Sequence, residues 1–214
     1  MSDVFTKITE ELIAGNLAGV PKMCLEAVEA GTPAQEILDK SLFPGMDVVG
    51  QRMKTGEMFI PEVLRSAKAM QASLEVLKGK LVDAGAKSNL GVVILGTVQG
   101  DMHDIGKNLV GMLMEGAGFK VIDLGVDIKP EQFVTAVSEH DAGLVGMSAL
   151  LTTTMPKMEE TVKALTEAGL RNRVKVMAGG APVTPKFVEQ IGADGYGADA
   201  GSAVDTAKQL LGAA

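Results

Sequence analysis

Residues 90–110 read Leu-Gly-Val-Val-Ile-Leu-Gly-Thr-Val-Gln-Gly-Asp-Met-His-Asp-Ile-Gly-Lys-Asn-Leu-Val, and they indicate which class of fold the second half of the chain adopts. Its apolar first half is typical of a buried strand, and the apolar positions that follow have helical spacing. The turn between them presents Asp101, His103 and Gly106 in the pattern Asp-x-His-x-x-Gly. His103, one of two histidines in the sequence, is therefore predicted at the carboxyl end of a strand, where open α/β sheets bind their ligands.

The same alternation of strand and helix continues to the end of the chain. Strands are predicted at residues 91–96, 120–123, 143–148, 174–178 and 195–196, and helices at residues 105–117, 130–140, 155–168, 184–190 and 201–211. Five units of this kind predict a doubly wound α/β fold, Rossmann- or flavodoxin-like, with a five-stranded parallel sheet covered by helices on both faces.

The first 85 residues have helical periodicity and no convincing strand pattern, which predicts an N-terminal four-helix bundle. One helix is expected from residue 2 to about 15, and a second from Pro21 to Gly31. A third begins after Pro33 and is expected to be kinked or interrupted at Pro44, and a fourth runs from residue 61 to about 84. Residues 50–61 are predicted as a loop and residues 85–89 as a linker, so the domains are 1–85 and 90–214.

The composition excludes several classes of function. The 214 residues carry a formal net charge of −7 and only 3% aromatic residues, which argues against a nucleic-acid partner. The single cysteine, Cys24, cannot form an internal disulfide and is predicted as a small buried apolar residue. No signal-peptide pattern and no apolar stretch of about 18 residues is seen, which predicts a cytoplasmic location and no membrane partner.

The turn after the first predicted strand allows more than one interpretation. It does not have the spacing of a phosphate-binding loop, because five residues separate Gly100 from Gly106 and Asn108 stands where a hydroxyl is needed. A neutral imidazole whose second nitrogen is held by a carboxylate is the arrangement of a metal ligand. The alternative is that His103 only pairs with Asp101 at the start of a helix.

Three sets of residues on predicted strand ends carry a resemblance to a known family. The pattern from Asp101 to Gly106 resembles the cobalamin-binding motif of corrinoid methyltransferase proteins and of cobalamin-dependent methionine synthase. The family has matching residues at two further places, which in this chain are Ser148-Ala-Leu150 with Thr152, and the pair Gly179-Gly180. Over nearly its whole length the chain is similar to the stand-alone corrinoid methyl-carrier proteins of three-component methyltransferase systems.

This resemblance implies a cobalamin or related corrinoid bound base-off, as methylcob(III) or cob(I), with His103 as the lower axial ligand of cobalt. Asp101 would accept the other imidazole N–H and Ser148 would extend the relay, so Asp101, His103 and Ser148 are the predicted catalytic residues. Glycines at 179 and 180 would let a bulky heterocycle approach the backbone. The full set of residues expected to bind the cofactor in this domain is Gly100, Asp101, Met102, His103, Asp104, Ile105, Gly106, Ser148, Leu150, Thr152, Gly179, Gly180, Asp199 and Ala200.

The helical half resembles the cap module that covers the upper corrin face in methionine synthase. By that match Met53 and Ile60 hold the positions of the two apolar residues that shield the methyl group, and Met53 departs from the usual aromatic residue. Asp39 stands where the family has a carboxylate near the upper face. Simple core packing between helices is the alternative for Met53 and Ile60.

The resemblance implies a methyl carrier that is not catalytically complete alone. A substrate-specific methyltransferase would load it from a methylated amine, betaine, methanol or a methoxyaromatic compound. A second methyltransferase would pass the methyl group to a thiol or tetrahydrofolate, a reductive activase would be a third partner, and residues 85–89 would be a hinge. The alternatives are a cobalamin-dependent sensor or regulator, which would need a basic DNA-reading module, and the cobalamin subunit of a mutase, which would lack the helical half.

Overall fold

The computed structural model describes residues 2–83 and 90–212, and of Ser2, Gly79 and residues 81–83 only the backbone. The chain divides into two compact units, one of residues 1–87 with 116–118 and one of residues 88–115 with 119–214. The predicted domain boundaries stay a prediction, because the linker at residues 85–89 lies outside the described residues.

The first unit is helical, which confirms the predicted class. Its elements are α1 (Ser2–Ile13), α2 (Gly19–Glu29), α3 (Ala34–Ile37), a π-helical turn (Leu38–Leu42), α4 (Phe43–Thr55) and α5 (Ile60–Asp83). Apolar residues spaced three or four apart form one face of each long helix and are buried together; they include Ile8, Leu12, Val20, Cys24, Val49, Val63, Met70 and Leu77. The unit therefore has a core of its own.

Two details of the helical unit differ from the prediction. The helix is not broken at Pro44, because a π-helical turn precedes it and Pro44 falls in the first turn of α4, where no N–H is needed. The predicted loop over residues 50–61 is wrong in its first half, since α4 continues to Thr55 and ends at Gly56, whose φ of 78° is left-handed. Gly50 lies inside the helix, where glycine costs only about 1 kcal/mol relative to alanine.

The second unit is the predicted doubly wound parallel sheet. In the described residues its strands are β1 (Val92–Thr97), β2 (Lys120–Asp123), β3 (Leu144–Ser148), β4 (Lys175–Gly179) and β5 (Gly195–Gly197), in the spatial order β2-β1-β3-β4-β5. The helices between and after them are α6 (Ile105–Gly116), α7 (Pro130–His140), α8 (Pro156–Glu167), α9 (Pro185–Gln190) and α10 (Ala200–Leu210). Proline in the first turn of α7, α8 and α9 fixes where these three helices begin.

The register of the sheet places the functional turns side by side. Ile94 pairs with Val145 and Val145 with Val176, and all three side chains are fully buried. At the carboxyl edge Thr97 pairs with Ser148 and Ser148 with Gly179. The chain leaves β1 toward β2 on one side and returns to β3 on the other, so the switch point of the topology lies between β1 and β3.

Candidate functional site

A tight turn at the end of β1 carries the predicted site. The Asp101 N–H donates to the Val98 carbonyl at 3.1 Å, and Gly100 between them has a φ of 83°. A hydrogen bond of this span with a left-handed third residue is typical of a type II turn, which favours glycine there. The hydroxyl of Thr97 donates to the His103 carbonyl at 2.8 Å and holds the far end of the turn.

The Asp101 carboxylate is fully buried and accepts hydrogen bonds from both sides. Its Oδ1 accepts from His103 Nδ1 at 2.7 Å and from the His103 backbone N–H at 3.1 Å. Its Oδ2 accepts from three donors in the connection after β3, namely the N–H groups of Leu150 (2.8 Å) and Leu151 (3.1 Å) and the hydroxyl of Thr154 (2.9 Å). Asp101 therefore joins the turn after β1 to the connection after β3.

These bonds determine the charge and the tautomer of the pair. Burial raises the pKa of Asp101, but the hydrogen bonds from His103, the Leu150 N–H and Thr154 outweigh it and hold that pKa well below its ordinary value. An ionised carboxylate only accepts hydrogen bonds, so Nδ1 of His103 carries the proton. In the neutral imidazole Nε2 then keeps its lone pair, and within the described residues it has no hydrogen-bond partner, while the His103 side chain is 52% exposed.

Exposed apolar side chains surround the Asp101–His103 pair. Met102 and Ile105 flank the histidine along the chain and are 68% and 77% exposed, and Leu150 and Leu151, whose N–H groups hold Asp101, are 44% and 41% exposed. A Cβ at Gly106 would meet no atom within 4 Å, so the first turn of α6 borders open space. An unpaired imidazole nitrogen among exposed apolar side chains fits a large, flat, apolar metal complex.

The other predicted residues at this edge lie on neighbouring strand ends. Ser148 ends β3, and Thr152 is exposed in the connection that follows. A Cβ at Gly179 would lie 2.7 Å from the Gly197 carbonyl oxygen, and one at Gly180, whose φ is 123°, would collide with the Ala149 carbonyl oxygen. The approach of neighbouring backbone therefore already requires both glycines, so their predicted contact with a heterocycle stays a prediction.

The predicted relay from Asp101 to Ser148 stays a prediction, and the structure adds a different hydroxyl beside the carboxylate. Among the described residues the hydroxyl that reaches the carboxylate belongs to Thr154, because the connection after β3 turns back toward Asp101 and brings Thr154 to it. Thr154 also donates to the Leu151 carbonyl at 2.9 Å, and its side chain is buried. One signal could have found Thr154, because a buried carboxylate needs more donors than a single histidine supplies.

Two predicted cofactor-binding residues lie away from the turn after β1. Asp199 is the N-cap of α10, where its carboxylate accepts from the Ser202 N–H and hydroxyl, each at 2.8 Å. It follows β5, and the strands β3 and β4 separate β5 from β1, a span of roughly 14 Å at the usual strand spacing. The carboxylate of Asp199 and the buried Ala200 are thus explained by the helix start, and a role in cofactor binding stays a prediction.

A buried lysine beside the site was not predicted. The side chain of Lys107 is 3% exposed, and its Nζ donates to Asp123 at 2.6 Å and to Asn108 Oδ1 at 2.7 Å. Asp123 ends β2, so this ion pair ties the first turn of α6 to the edge strand. Asn108 in turn donates to Asp104 at 3.1 Å, which gives Asp104 a partner within the helix start.

The predicted shielding residues lie in the helical unit. Ile60 is 48% exposed and follows Phe59, which is 67% exposed, so core packing does not explain Ile60. Met53 is partly buried near the end of α4. Asp39 is exposed in the π-helical turn and accepts from Gln35 Nε2 at 2.9 Å. Their predicted place at the upper face of a corrin ring stays a prediction.

Two further features are absent from residues 2–83 and 90–212. Those residues bring together no group of three or more His, Cys, Asp or Glu side chains that could hold a metal ion by themselves. They also form no helix that is both long and apolar enough to cross a membrane.

Comparison with known proteins shows the family to which the chain belongs. A B12 binding domain family matches residues 91–205, and a second B12 binding domain family matches residues 4–78. Dimethylamine corrinoid protein 3 of Methanosarcina acetivorans is 45% identical over 190 residues, which are 87% of this chain and 89% of that protein.

Two crystal structures are similar as well. One is a chain of the methanol:cobalamin methyltransferase complex from Methanosarcina barkeri, with a TM-score of 0.89 and 32% identity over 99% of this chain and 81% of that chain. The other is a cobalamin-binding protein from Desulfitobacterium hafniense, with a TM-score of 0.79 and 31% identity over 96% of this chain and 98% of that chain. The chain therefore belongs to the family of B12-binding corrinoid proteins, as its motif predicted.

Proposed function

We propose that this protein is a methyl carrier that binds cobalamin or a related corrinoid base-off, with Nε2 of His103 as the lower axial ligand of cobalt. The observation that carries the proposal is the Asp101–His103 pair, in which a buried carboxylate fixes one imidazole nitrogen at 2.7 Å while the other has no hydrogen-bond partner among the described residues. The bound corrinoid would supply a cobalt centre that accepts a methyl group from one molecule and gives it to another.

The residues of the chain would bind and tune that centre. His103 would donate its Nε2 lone pair, and Asp101 would keep the proton on Nδ1 and strengthen the imidazole as a donor. Thr154 and the two leucine N–H groups would keep Asp101 ionised and in place. Met102, Ile105, Leu150 and Leu151 would cover apolar parts of the cofactor, which explains why side chains of this kind are exposed here.

The donor and the partners form the finer part of the proposal. Dimethylamine is named for several relatives and methanol for the methyltransferase complex, so a methylated amine or methanol is the first donor to test. We infer a substrate-specific methyltransferase, a second methyltransferase that passes the group to a thiol or tetrahydrofolate, and a reductive activase. We also propose a cytoplasmic location, as the sequence predicted, and a shielding role for Met53 and Ile60.

Reconstitution with a corrinoid tests the proposal directly. Purified protein incubated with excess methylcobalamin should leave gel filtration coloured, with about one corrinoid per chain and the absorbance of the base-off form. His103→Ala should bind the corrinoid about 10- to 100-fold more weakly, as expected when a metal site loses its protein ligand or its support. His140→Ala is the matched control, because the second histidine is exposed at the end of α7.

Four results would count against the proposal. Colourless wild-type protein would exclude corrinoid binding, and an unchanged cobalt spectrum in His103→Ala would exclude the axial role. Use of adenosylcobalamin in a carbon-skeleton rearrangement, or light-triggered release of DNA, would favour the mutase subunit or the regulator instead. Loss of the methyl group to a thiol only when a partner methyltransferase is added would support the carrier.

A further inference from the structure

The connection after β2 contacts the turn that carries His103 from the side opposite to the connection after β3. In the strand order β2 and β3 flank β1, so the turn after β1 lies between the two connections. The connection after β3 holds the side chain of Asp101 through Oδ2. The connection after β2 holds the backbone of the same turn, and the residue that does so is Asp127.

Asp127 makes two reciprocal hydrogen bonds to this turn. Its Oδ1 accepts from the Gly100 N–H at 2.7 Å, and its own N–H donates to the Asp101 carbonyl at 3.0 Å. The two bonds bracket Gly100 and Asp101 from outside. Gly100 is the residue of the turn with the greatest backbone freedom, so restraint at this point limits how far Asp101 can move.

The backbone of Asp127 supports a specific role. Its φ of 56° is left-handed, and among the described residues the one other non-glycine residue with a positive φ is Asp141. Such a conformation is unfavourable for a residue with a side chain and persists where surrounding contacts fix it. In this conformation both the N–H and the carboxylate of Asp127 bond to the Gly100–Asp101 segment.

We propose that Asp127 is a positioning residue for the imidazole of His103, an inference that rests on the proposed axial role of that imidazole. Asp127 acts through the backbone of Gly100 and Asp101, and it does not itself contact the cofactor or the reacting atoms. By fixing the Asp101 backbone it keeps the carboxylate within hydrogen-bond distance of Nδ1, so that Nε2 faces outward with its lone pair. Release of the turn would let the imidazole adopt both tautomers and several orientations.

Three substitutions at one position separate the side-chain bond from the backbone conformation. Asp127→Asn keeps an acceptor for the Gly100 N–H and tolerates a left-handed backbone. Asp127→Gly removes the acceptor and also relieves the strain of the left-handed backbone, because glycine has no Cβ. Asp127→Ala removes the acceptor and keeps that strain. Asp141→Ala is the matched control, because Asp141 is also left-handed (φ 47°) but lies at the end of α7 beside Arg173, at the other edge of the sheet.

The first measurement uses the protein without cofactor. ¹⁵N shifts of the His103 ring should indicate one tautomer, protonated on Nδ1, in wild type, Asp127→Asn and Asp141→Ala. Asp127→Ala and Asp127→Gly should give averaged shifts of a tautomer mixture. Thermal unfolding of each variant shows whether the fold is retained. If Asp127→Ala does not fold, the test uses Asp127→Gly alone.

The second measurement uses protein loaded with cob(II)alamin. Electron paramagnetic resonance should show nitrogen splitting from an imidazole ligand in wild type, Asp127→Asn and Asp141→Ala, and a reduced fraction of it in Asp127→Gly. Cobalamin should bind Asp127→Gly about tenfold more weakly than wild type, at the lower end of what loss of a supporting residue does to a metal site. Asp141→Ala should bind within about twofold of wild type, as exposed substitutions usually do.

The outcomes distinguish the two levels of inference. Wild-type protein that binds cobalamin without nitrogen splitting would end the axial role proposed for His103, while the ring shifts would still decide whether Asp127 positions the imidazole. The positioning role would be overturned if the wild-type protein showed nitrogen splitting and Asp127→Gly had the same ¹⁵N shifts of the His103 ring and the same cobalamin affinity as wild type. Equal changes in the Asp127 variants and Asp141→Ala would also overturn it, because strain alone would then explain them.

Discussion

Charged side chains differ in burial between the two edges of the sheet. At the carboxyl edge Asp101 is fully buried and the side chain of Lys107 is 3% exposed. At the amino edge Arg173 and Asp141 form an ion pair whose side chains are 69% and 91% exposed. Burying a charge is unfavourable unless it is paired and hydrogen-bonded. The buried charges at the carboxyl edge each have several partners, and those partners come from different connections of the sheet. Among the described residues the buried charged side chains of this domain, Asp101 and Lys107, therefore lie where a ligand would be held, and the Asp101 carboxylate joins the turn after β1 to the connection after β3.

The largest effect expected from this comparison is that of Asp101→Ala. The substitution leaves three donors of the β3 connection, two partly buried and one buried, without their carboxylate acceptor, and a buried donor without an acceptor costs about 1–3 kcal/mol. Chemical denaturation should therefore show a loss of at least about 3 kcal/mol of unfolding free energy, and corrinoid affinity should fall about 100-fold because His103 loses its orienting partner. Arg173→Ala, which breaks the exposed pair, should stay within about 0.5 kcal/mol of wild type.

The contribution of the Asp101 carboxylate to the unfolding free energy should depend on pH. Its pKa is lower in the folded protein than the ordinary value of 3.8, so its contribution to stability is present above about pH 4 and is lost as the pH falls below that. The difference in unfolding free energy between wild type and Asp101→Asn should therefore narrow as the pH is lowered from 5 to about 2. A difference that is constant over this range would contradict the assignment of a stabilised carboxylate.

Smaller effects are expected at the ion pair of Lys107 and Asp123, and they should be unequal. Asp123→Ala would leave the buried lysine without its carboxylate, which typically costs about 3 kcal/mol. Lys107→Met replaces the buried charge with an apolar chain and leaves an Asp123 side chain that is 44% exposed to water, so a loss of about 1 kcal/mol is expected. Urea unfolding of the two variants tests this order, and equal losses would mean that Lys107 is more hydrated in solution than its burial indicates.

The parts of this site that the sequence predicted are those in which neighbours along the chain interact. Strand, turn and helix lie within residues 90–110, so the apolar run placed His103 at a strand end and the two-residue spacing placed Asp101 beside it. Thr154 and Asp127 were missed because their contacts join residues 53 and 27 positions apart, and such contacts depend on which strands flank β1. The loop predicted at residues 50–61 was wrong for a related reason, since packing of α4 in its own unit outweighs the low helix propensity of Gly50.

The smallest effect in this series distinguishes Thr154 from Ser148 as the hydroxyl partner of Asp101. Thr154→Val keeps the shape of the side chain and removes one of the donors to Oδ2, whereas Leu150 and Leu151 still donate. We expect a loss of about 1 kcal/mol in unfolding free energy and a few-fold weaker corrinoid binding. Ser148→Ala should leave the ring shifts of His103 unchanged, because Ser148 does not donate to Asp101 among the described residues. If the ¹⁵N shifts of the His103 ring instead change in Ser148→Ala and stay the same in Thr154→Val, the relay runs through Ser148, as the sequence first indicated. The connection after β3 would then hold Asp101 differently once the corrinoid is bound.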